Sequence, residues 1–441
     1  MIELKQSGML LFVIALFIVT VIFILITELN IRRKKRHNSR INNAPKFDNK
    51  PNQEMPRKQP DKIPAKKIST EKVESQPLSD TGKDEENKFS SSNYAIDAKF
   101  DDDQKSVIKV DSGYCLVLAP AGCGKTDILA ERIARALHRG VKLEDMLCLT
   151  FTNRAARGMF ERIEKKLGFK IKGNLFVGNV HKFCSEFLFS QNIIPQNATI
   201  LDETEVIYII QNLMQQKEEI IDEYSLKEKF LMISKMQHYL HQVLHNHPKD
   251  VILNQDIIDV DLLNGLCVRM GMDFSSEGIQ YIFDNIETLI DNDLPYNFFY
   301  LVKQIFYAKK YNDYKRENNI LDFDDLLLIA YDYATENPQN IHKYSWIQID
   351  EVQDLNPMQF AIVDAFTADI SDSVVVYLGD EKQAIFSFIG AKFSSLKWLR
   401  ERCKGNMHFL CKNYRSPKYL LDVYNKYTHY HLGEDIDFGL F

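Results

Sequence analysis

Hydrophobic and polar positions along this chain fall into three regimes. Met9 to Thr27 is an almost wholly apolar stretch of 19 residues without a charge. From about 37 to 95 the sequence turns polar, with six of the chain's 13 prolines and Phe47 as the only aromatic before Phe89. Beyond about 96, short apolar runs alternate with longer stretches of helical spacing. Tyr114-Cys115-Leu116-Val117-Leu118, Trp346-Ile347-Gln348-Ile349 and Val374-Val375-Val376-Tyr377-Leu378 have the length and continuity of buried parallel strands. Between about 195 and 318 the strand pattern stops. Runs such as Val206 to Ile210 with Leu213-Met214, or Leu231 to Ile233 through Val243-Leu244, predict helices instead.

The first regime predicts a transmembrane helix. Nineteen residues rising ~1.5 Å each give about 28 Å, the thickness of a bilayer core. Arg32-Arg33-Lys34-Lys35-Arg36 follows the span, which places the C-terminal side in the cytoplasm. A cleavable signal would carry its charge ahead of a shorter apolar run. The five cations could also meet anionic lipid or nucleic acid, but topology alone accounts for them. The polar tract cannot bury enough apolar surface to order itself and reads as a tether, about 40 Å root-mean-square in span.

Candidate chemistry sits at the ends of the predicted strands. Ala119-Pro120-Ala121-Gly122-Cys123-Gly124-Lys125-Thr126 follows the first and opens a helix at Asp127. Backbone N–H groups and a helix N-terminus there would grip phosphates, with Lys125 on the outer phosphates and Thr126 on Mg²⁺. Asp350-Glu351-Val352-Gln353-Asp354 follows the second strand. Adjacent carboxylates at a strand tip suit metal ligation by one and activation of water by the other. The third strand ends in Gly379-Asp380-Glu381-Lys382-Gln383, with Phe388 five residues later. Taken alone, Phe388 would more often be a core residue than a ligand contact.

These segments, in this order, resemble a UvrD/Rep-type superfamily 1 DNA helicase over about 100–430. Phe100 to Gln104 is similar to the adenine-reading glutamine motif, and 119–126 to the family's phosphate loop with alanine first. Leu149 to Ala156 and Val180-His181-Lys182 resemble the two DNA-contact motifs. Asp322 to Leu327 matches the segment ahead of the acidic motif at 350–354. Gly379 to Ala391 resembles the coupling motif, and Asn413-Tyr414-Arg415-Ser416 the opening of the second motor domain. The chain departs from the family at Ile389, where arginine is usual, at Val180, where an aromatic is, and at Phe388, where tryptophan is frequent. It also stops at Phe441, 26 residues after Arg415, short of a second motor domain. The reading is a truncated product, or a motor that needs a protein partner to supply the missing functions.

The resemblance implies an α/β fold: a RecA-like P-loop NTPase with a parallel sheet and a helical insertion, preceded by the transmembrane helix and the disordered linker. The boundaries expected are an anchor with its basic flank at 1–36, a linker at 37–95, the first motor domain at 96–194 and 319–402, the insertion at 195–318, and an incomplete second domain at 403–441. It implies that Gln104 and Tyr414 hold adenine, that 119–127 bind ATP, and that Asp350 with Thr126 holds Mg²⁺. Glu351 would activate water, and Gln383 and Arg415 would sense the γ-phosphate. Phe151 and Phe388 would stack on unpaired DNA bases, with Thr152, Asn153 and His181 near the backbone. Movement from 3′ to 5′ is implied by the family and not by the residues.

Composition limits this picture little. The net charge of −6 and pI near 6.0 do not advertise nucleic-acid binding, but a local groove does not need a basic protein. Seven scattered cysteines without metal-type spacing fit reduced cytosolic thiols, and Cys123 needs only to be small. Tyr300 to Arg316 mixes tyrosines with five cations, as a strand-binding platform does, but the helical spacing of Tyr300, Tyr307, Tyr311 and Tyr314 favours packing. The resemblance therefore predicts a membrane-tethered, ATP-driven DNA helicase or translocase in repair, recombination or defence. A nucleotide switch without unwinding and an inactive scaffold are the alternatives.

Overall fold

The computed structural model describes residues 95–427 apart from 172–174, 215–222, 256, 291–293 and 381–392. The apolar span, the linker, Gln383 and Phe388 lie outside the described residues. Among the described residues no helix is long and apolar enough to cross a membrane.

Three apolar strand runs become neighbours in one parallel sheet. Helix α1 (Asp102–Ile108) leads to β1 (Gly113–Leu118), then α2 (Lys125–His138), β2 (Met146–Leu149), α3 (Asn153–Leu167), β3 (Phe176–Gly178) and α4 (Val180–Ser190). After a helical excursion come α11 (Phe323–Glu336), β6 (Trp346–Ile349), α12 (Pro357–Phe366), β7 (Val374–Gly379), α13 (Phe393–Arg402), β8 (Met407–Phe409) and α14 (Lys418–Tyr427). The strand order is β3-β2-β6-β7-β1-β8, all parallel, with Leu116 opposite Tyr377 and Cys148 opposite Gln348. Every residue of β2, β6 and β7 is buried, because helices cover both faces.

Alternation along the strands assigns the two cores. Leu116, Leu147, Ile347, Val375 and Tyr377 face α4, α11 and α12. Cys115, Val117, Cys148, Trp346 and Val376 face α1, α2 and α3. On this second face the guanidinium of Arg132 is fully buried in α2 and stacks 4.8 Å over Trp346. It donates to the carbonyls of Val107 (2.8 Å) and Val110 (2.6 Å), so it holds the C-terminal end of α1 against α2. Burial lowers its pKa to about 10, which still leaves it charged.

The excursion opens and closes on a small parallel ladder, β4 (Thr199–Ile200) beside β5 (Ile320–Leu321). Between them run α5 (Glu203–Met214), α6 (Glu223–Leu244), α7 (Val260–Arg269), α8 (Ser276–Asp284), α9 (Ile286–Ile290) and α10 (Tyr296–Asn318). These helices share a third core that includes Ile210, Ile233, Leu263, Ile286 and Tyr311. Tyr311 is fully buried, and Tyr307 and Tyr314 pack against the same core. The tyrosine series is therefore mainly a packed face, although Tyr300 remains exposed.

A buried charge cluster joins this bundle to the start of α11. Lys315 of α10 donates to Asp322 (3.0 Å), to both oxygens of Asp325 (2.8 and 2.6 Å) and to Gln237 (2.8 Å). His238 of α6 lies 2.8 Å from Asp322, in ion-pair rather than aligned hydrogen-bond geometry. Tyr311 donates to the same carboxylate at 2.9 Å. Asp322 and Asp325 also form a capping box at the α11 N-terminus. Burial alone would raise the Asp322 pKa, yet His238 and Lys315 hold it well below the usual carboxylate range.

Candidate nucleotide site and nucleic-acid face

Parallel strands bring their C-terminal ends to one edge, where crevices form. The C-terminal ends of β1, β2, β3, β6, β7 and β8 all lie there.

The loop after β1 is held by its neighbour: Ala119 N–H donates to Gly379 C=O at 2.9 Å, and Ala119 itself is buried. Gly122 and Gly124 adopt φ of 88° and 78°, which L side chains avoid. Space forbids a side chain too. A Cβ on Gly122 would stand 2.7 Å from Asn413 Oδ1, and one on Gly124 2.8 Å from Gln104 Nε2. No side chain caps α2, so its first N–H groups are left to an anion. Lys125 opens this helix with its ammonium 3.2 Å from Ala119 C=O and 3.4 Å from Glu351 Oε2. Thr126 is half-buried beside it, and exposed Asp127 lies 3.5 Å from Arg162. Burial pushes the Cys123 thiol up to about 11, so it fills space and does not react.

The acidic loop after β6 faces that lysine. Asp350 N–H donates to Leu149 C=O at 2.8 Å, which carries the carboxyl to the strand tip, where it is 6% exposed. Burial first, and then the neighbouring Glu351, push its pKa up to about 6. Asp354 is likewise raised to about 6 by burial and by Glu351. Glu351 sits at φ 56°, ψ 46°, a left-handed conformation unusual for glutamate. Gln353 fixes this turn: its amide donates to Glu351 Oε2 at 2.8 Å, and its oxygen accepts from Asp380 N–H at 3.0 Å. The bend therefore ties the β6 and β7 ends together while aiming Glu351 at Lys125. Three carboxyls facing one lysine, two of them raised, form a set that a hard divalent cation would stabilise. Asp350, with the Thr126 hydroxyl at the α2 N-terminus, supplies the oxygen donors such an ion takes.

The third wall comes from after β8. Asn413 donates to Ala121 C=O at 2.9 Å, and its own oxygen accepts from Arg415 and Ser416 N–H, each at 2.9 Å. Tyr414 N–H donates to Gly122 C=O at 2.9 Å, and its hydroxyl donates to Asp101. The Tyr414 ring and the Arg415 side chain remain exposed at the mouth of the loop. Gln104 is buried, donates to Cys123 C=O at 3.1 Å and closes a capping box with Asp101. In this arrangement the glutamine braces the phosphate loop from α1.

The profile of the UvrD/REP helicase N-terminal domain matches residues 100–404. The chain belongs to the UvrD/REP helicase family. It is 26% identical over 338 residues to the ATP-dependent DNA helicase PcrA of Staphylococcus aureus strain Mu50, covering 74% of this chain and 39% of that protein. The PcrA of Staphylococcus epidermidis strain RP62A is 25% identical over 346 residues, covering 75% of this chain and 40% of that protein. The chain thus spans about two fifths of the length of these curated relatives.

Within the family frame, the segments similar to its DNA-contact motifs lie on the β2–β3 side of the same edge. Thr150 N–H donates to Gly178 C=O at 3.0 Å, and Asn179 donates to Asn153 Oδ1 at 3.1 Å, so the two motif segments run side by side. Phe151 is half-buried. Thr152 and Asn153 are exposed, although the Thr152 hydroxyl already caps α3 through Ala155 N–H at 3.1 Å. His181 meets Phe323 edge-on at 5.6 Å. Burial holds its pKa below the ordinary value despite nearby Asp324, so at neutral pH it offers a neutral ring and not a cation.

Several residues that shape the site escaped the sequence reading. Gln353 and Asn413 lie inside recognised motifs, but their bridging roles need three strand ends to meet. Phe323 is 48% exposed beside His181, and its only sequence signal was membership of the 322–327 segment. Arg154 and Arg157 are exposed on the first turns of α3, next to Phe151.

Proposed function

We propose that this chain is an ATP-driven motor on single-stranded DNA, a helicase or translocase moving 3′ to 5′, tethered to the membrane by 9–27 with its motor in the cytoplasm. The observation that carries the reading is the 3.4 Å approach of Lys125 to Glu351, which joins the phosphate loop to the acidic pair across the sheet edge.

Lys125 exchanges its contacts with Ala119 and Glu351 for the outer phosphates, and the open N-terminus of α2 receives the inner ones. Thr126 and Asp350 would hold Mg²⁺, which would neutralise charge on the phosphate oxygens. Glu351, freed from Lys125, orients and deprotonates the attacking water, while Gln353 keeps it aimed. The exposed Tyr414 ring stacks on the base, and Arg415 with Gln383 reports the γ-phosphate to the coupling segment. Phe151 and Phe388 stack on unpaired bases without reading their sequence, and Arg154 and Arg157 add cations for the phosphate backbone.

The test is ATP turnover with and without single-stranded DNA, together with displacement of a strand from a 3′-tailed duplex. DNA-stimulated turnover that Lys125→Ala abolishes supports the motor, and a DNA-independent ATPase contradicts it. Ile389, in place of the usual arginine, favours a second reading as a nucleotide switch. Stimulated turnover without displacement would select that reading. Recovery of the intact chain in the soluble fraction would overturn the tether, which rests on the apolar span and its basic flank alone.

A further inference from the structure

Residues 238–247 read His-Tyr-Leu-His-Gln-Val-Leu-His-Asn-His, four of the chain's 11 histidines in ten positions. Nucleotide chemistry uses none of them. His238 belongs to the buried cluster, where the Lys315 ammonium already occupies the carboxylates a cation would need. The other three turn to a different partner.

His241 lies in the last turn of α6 and His245 just past its end, four residues on, and their rings stack with centroids 4.0 Å apart. Asn246 then takes φ 54°, and His247 N–H donates back to Gln242 C=O at 3.0 Å. This turn lays the His247 ring 6.2 Å from that of His241 and 6.3 Å from that of His245. Asp332 of α11 closes the group, with Oδ2 3.0 Å from His241 Nε2 and Oδ1 2.6 Å from His247 Nε2.

The protonation pattern suits a metal. His245 Nδ1 is 2.8 Å from the His241 carbonyl, which can only accept. That nitrogen therefore carries the hydrogen, and Nε2 of the neutral ring keeps its lone pair. The His247 side chain is 5% exposed, and its Nδ1 is buried without a hydrogen-bond partner among the described residues. One donor atom each from His241, His245 and Asp332 lies within 4.8 Å of the others. Tetrahedral ligands about 2.1 Å from zinc stand about 3.4 Å apart. A small rotation of exposed His245 closes that gap.

We propose that His241, His245 and Asp332, with His247 against the carboxylate, bind a single divalent transition-metal ion of the zinc type. Imidazole-rich donors select zinc, cobalt, nickel or copper over Mg²⁺ or Ca²⁺. The ion pins the last turn of α6 to α11, the helix that precedes β6 and the acidic motif. It thereby fastens the helical bundle to the sheet domain from a second point, apart from the Lys315 cluster.

The full chain, stripped with chelator and kept in excess Mg²⁺, is titrated with Zn²⁺ against a colorimetric chelator, and with Co²⁺ by visible absorption. His245→Ala removes an exposed ligand with little cost to folding, and Asp332→Asn removes the anion. The wild-type chain is expected to bind one more Zn²⁺ than His245→Ala and to melt at higher temperature with Zn²⁺, a shift absent in His245→Ala. Asp332→Asn is expected to weaken the site at least about 10-fold. Equal stoichiometry and an equal Zn²⁺-induced shift in the wild type and His245→Ala would overturn the site. So would an unaltered Co²⁺ spectrum.

Discussion

Two acidic pairs on this chain look alike as sequence and differ in what surrounds them. Asp350 and Glu351 stand at a strand tip with Lys125 as their facing cation, and burial and mutual repulsion push Asp350 up to about 6. Asp322 and Asp325 stand at a helix N-terminus with Lys315 and His238 both pressed against them, and Asp322 is held well below the ordinary range. The first pair is under-compensated and invites an ion. The second is neutralised internally and serves to join two parts of the fold. Carboxylates become a reactive site or a structural joint according to the cations that packing brings to them.

The largest predicted contrast is in stability. Lys315→Ala leaves two buried carboxylates without their ammonium and should cost about 3–5 kcal/mol in denaturant unfolding. Lys125→Ala should cost far less, because its partner Glu351 is 31% exposed and water can take over. Similar losses from the two variants would erase the distinction.

The next prediction has opposite signs for the two pairs. Asp350→Asn removes a carboxyl that is penalised when charged, so it should stabilise the chain without ligands at pH 8 by about 1–3 kcal/mol. A folded pKa raised from about 3.8 to about 6 means the native state favours the proton, and the penalty is complete only above pH 6. The gain should therefore shrink as the pH falls from 6 toward 4. Asp322→Asn should instead destabilise at pH 8. Melts of both variants across that range check the signs, and a stabilised Asp322→Asn would contradict the account.

The joint should also be sensitive to alkali. His238 is raised to about 10 by Asp322 in spite of burial. Its stabilisation is whole below the unfolded value of about 6.5 and is lost as the pH rises toward 10, at no more than about 1.4 kcal/mol per pH unit. His238→Gln should flatten that part of the stability profile, and an unchanged slope would remove His238 from the joint.

The last effect concerns DNA. Phe151→Ala should weaken single-strand binding by about 1–3 kcal/mol in fluorescence titrations and leave ATP affinity without DNA unchanged. Parallel loss of ATP binding and melting temperature would return Phe151 to the core.

The chain's sequence discloses the two pairs unequally. Strands β1, β6 and β7 are legible because strands buried on both faces are continuous apolar runs, and the chemistry of parallel sheets follows their ends. The phosphate loop and acidic motif are therefore found without a structure. Strands β3 and β8 are three residues each and β4 and β5 two, too short for any period to register. The joint is hidden for another reason. Lys315 and His238 look like solvated charges on helices, and only the packing of α6 and α10 onto α11 reveals their partners. Gln353 and Phe323 lie within recognised motifs, but their neighbours Asp380 and His181 come from the end of β7 and from α4.

The central claim is that Glu351 is the group freed to activate water when Lys125 turns to phosphate. The direct measurement is steady-state ATP turnover on single-stranded DNA for the wild type and Glu351→Gln, with ATP affinity measured alongside. The account predicts a turnover loss of about 10²–10⁴-fold with ATP binding retained. Unchanged turnover in Glu351→Gln would contradict it.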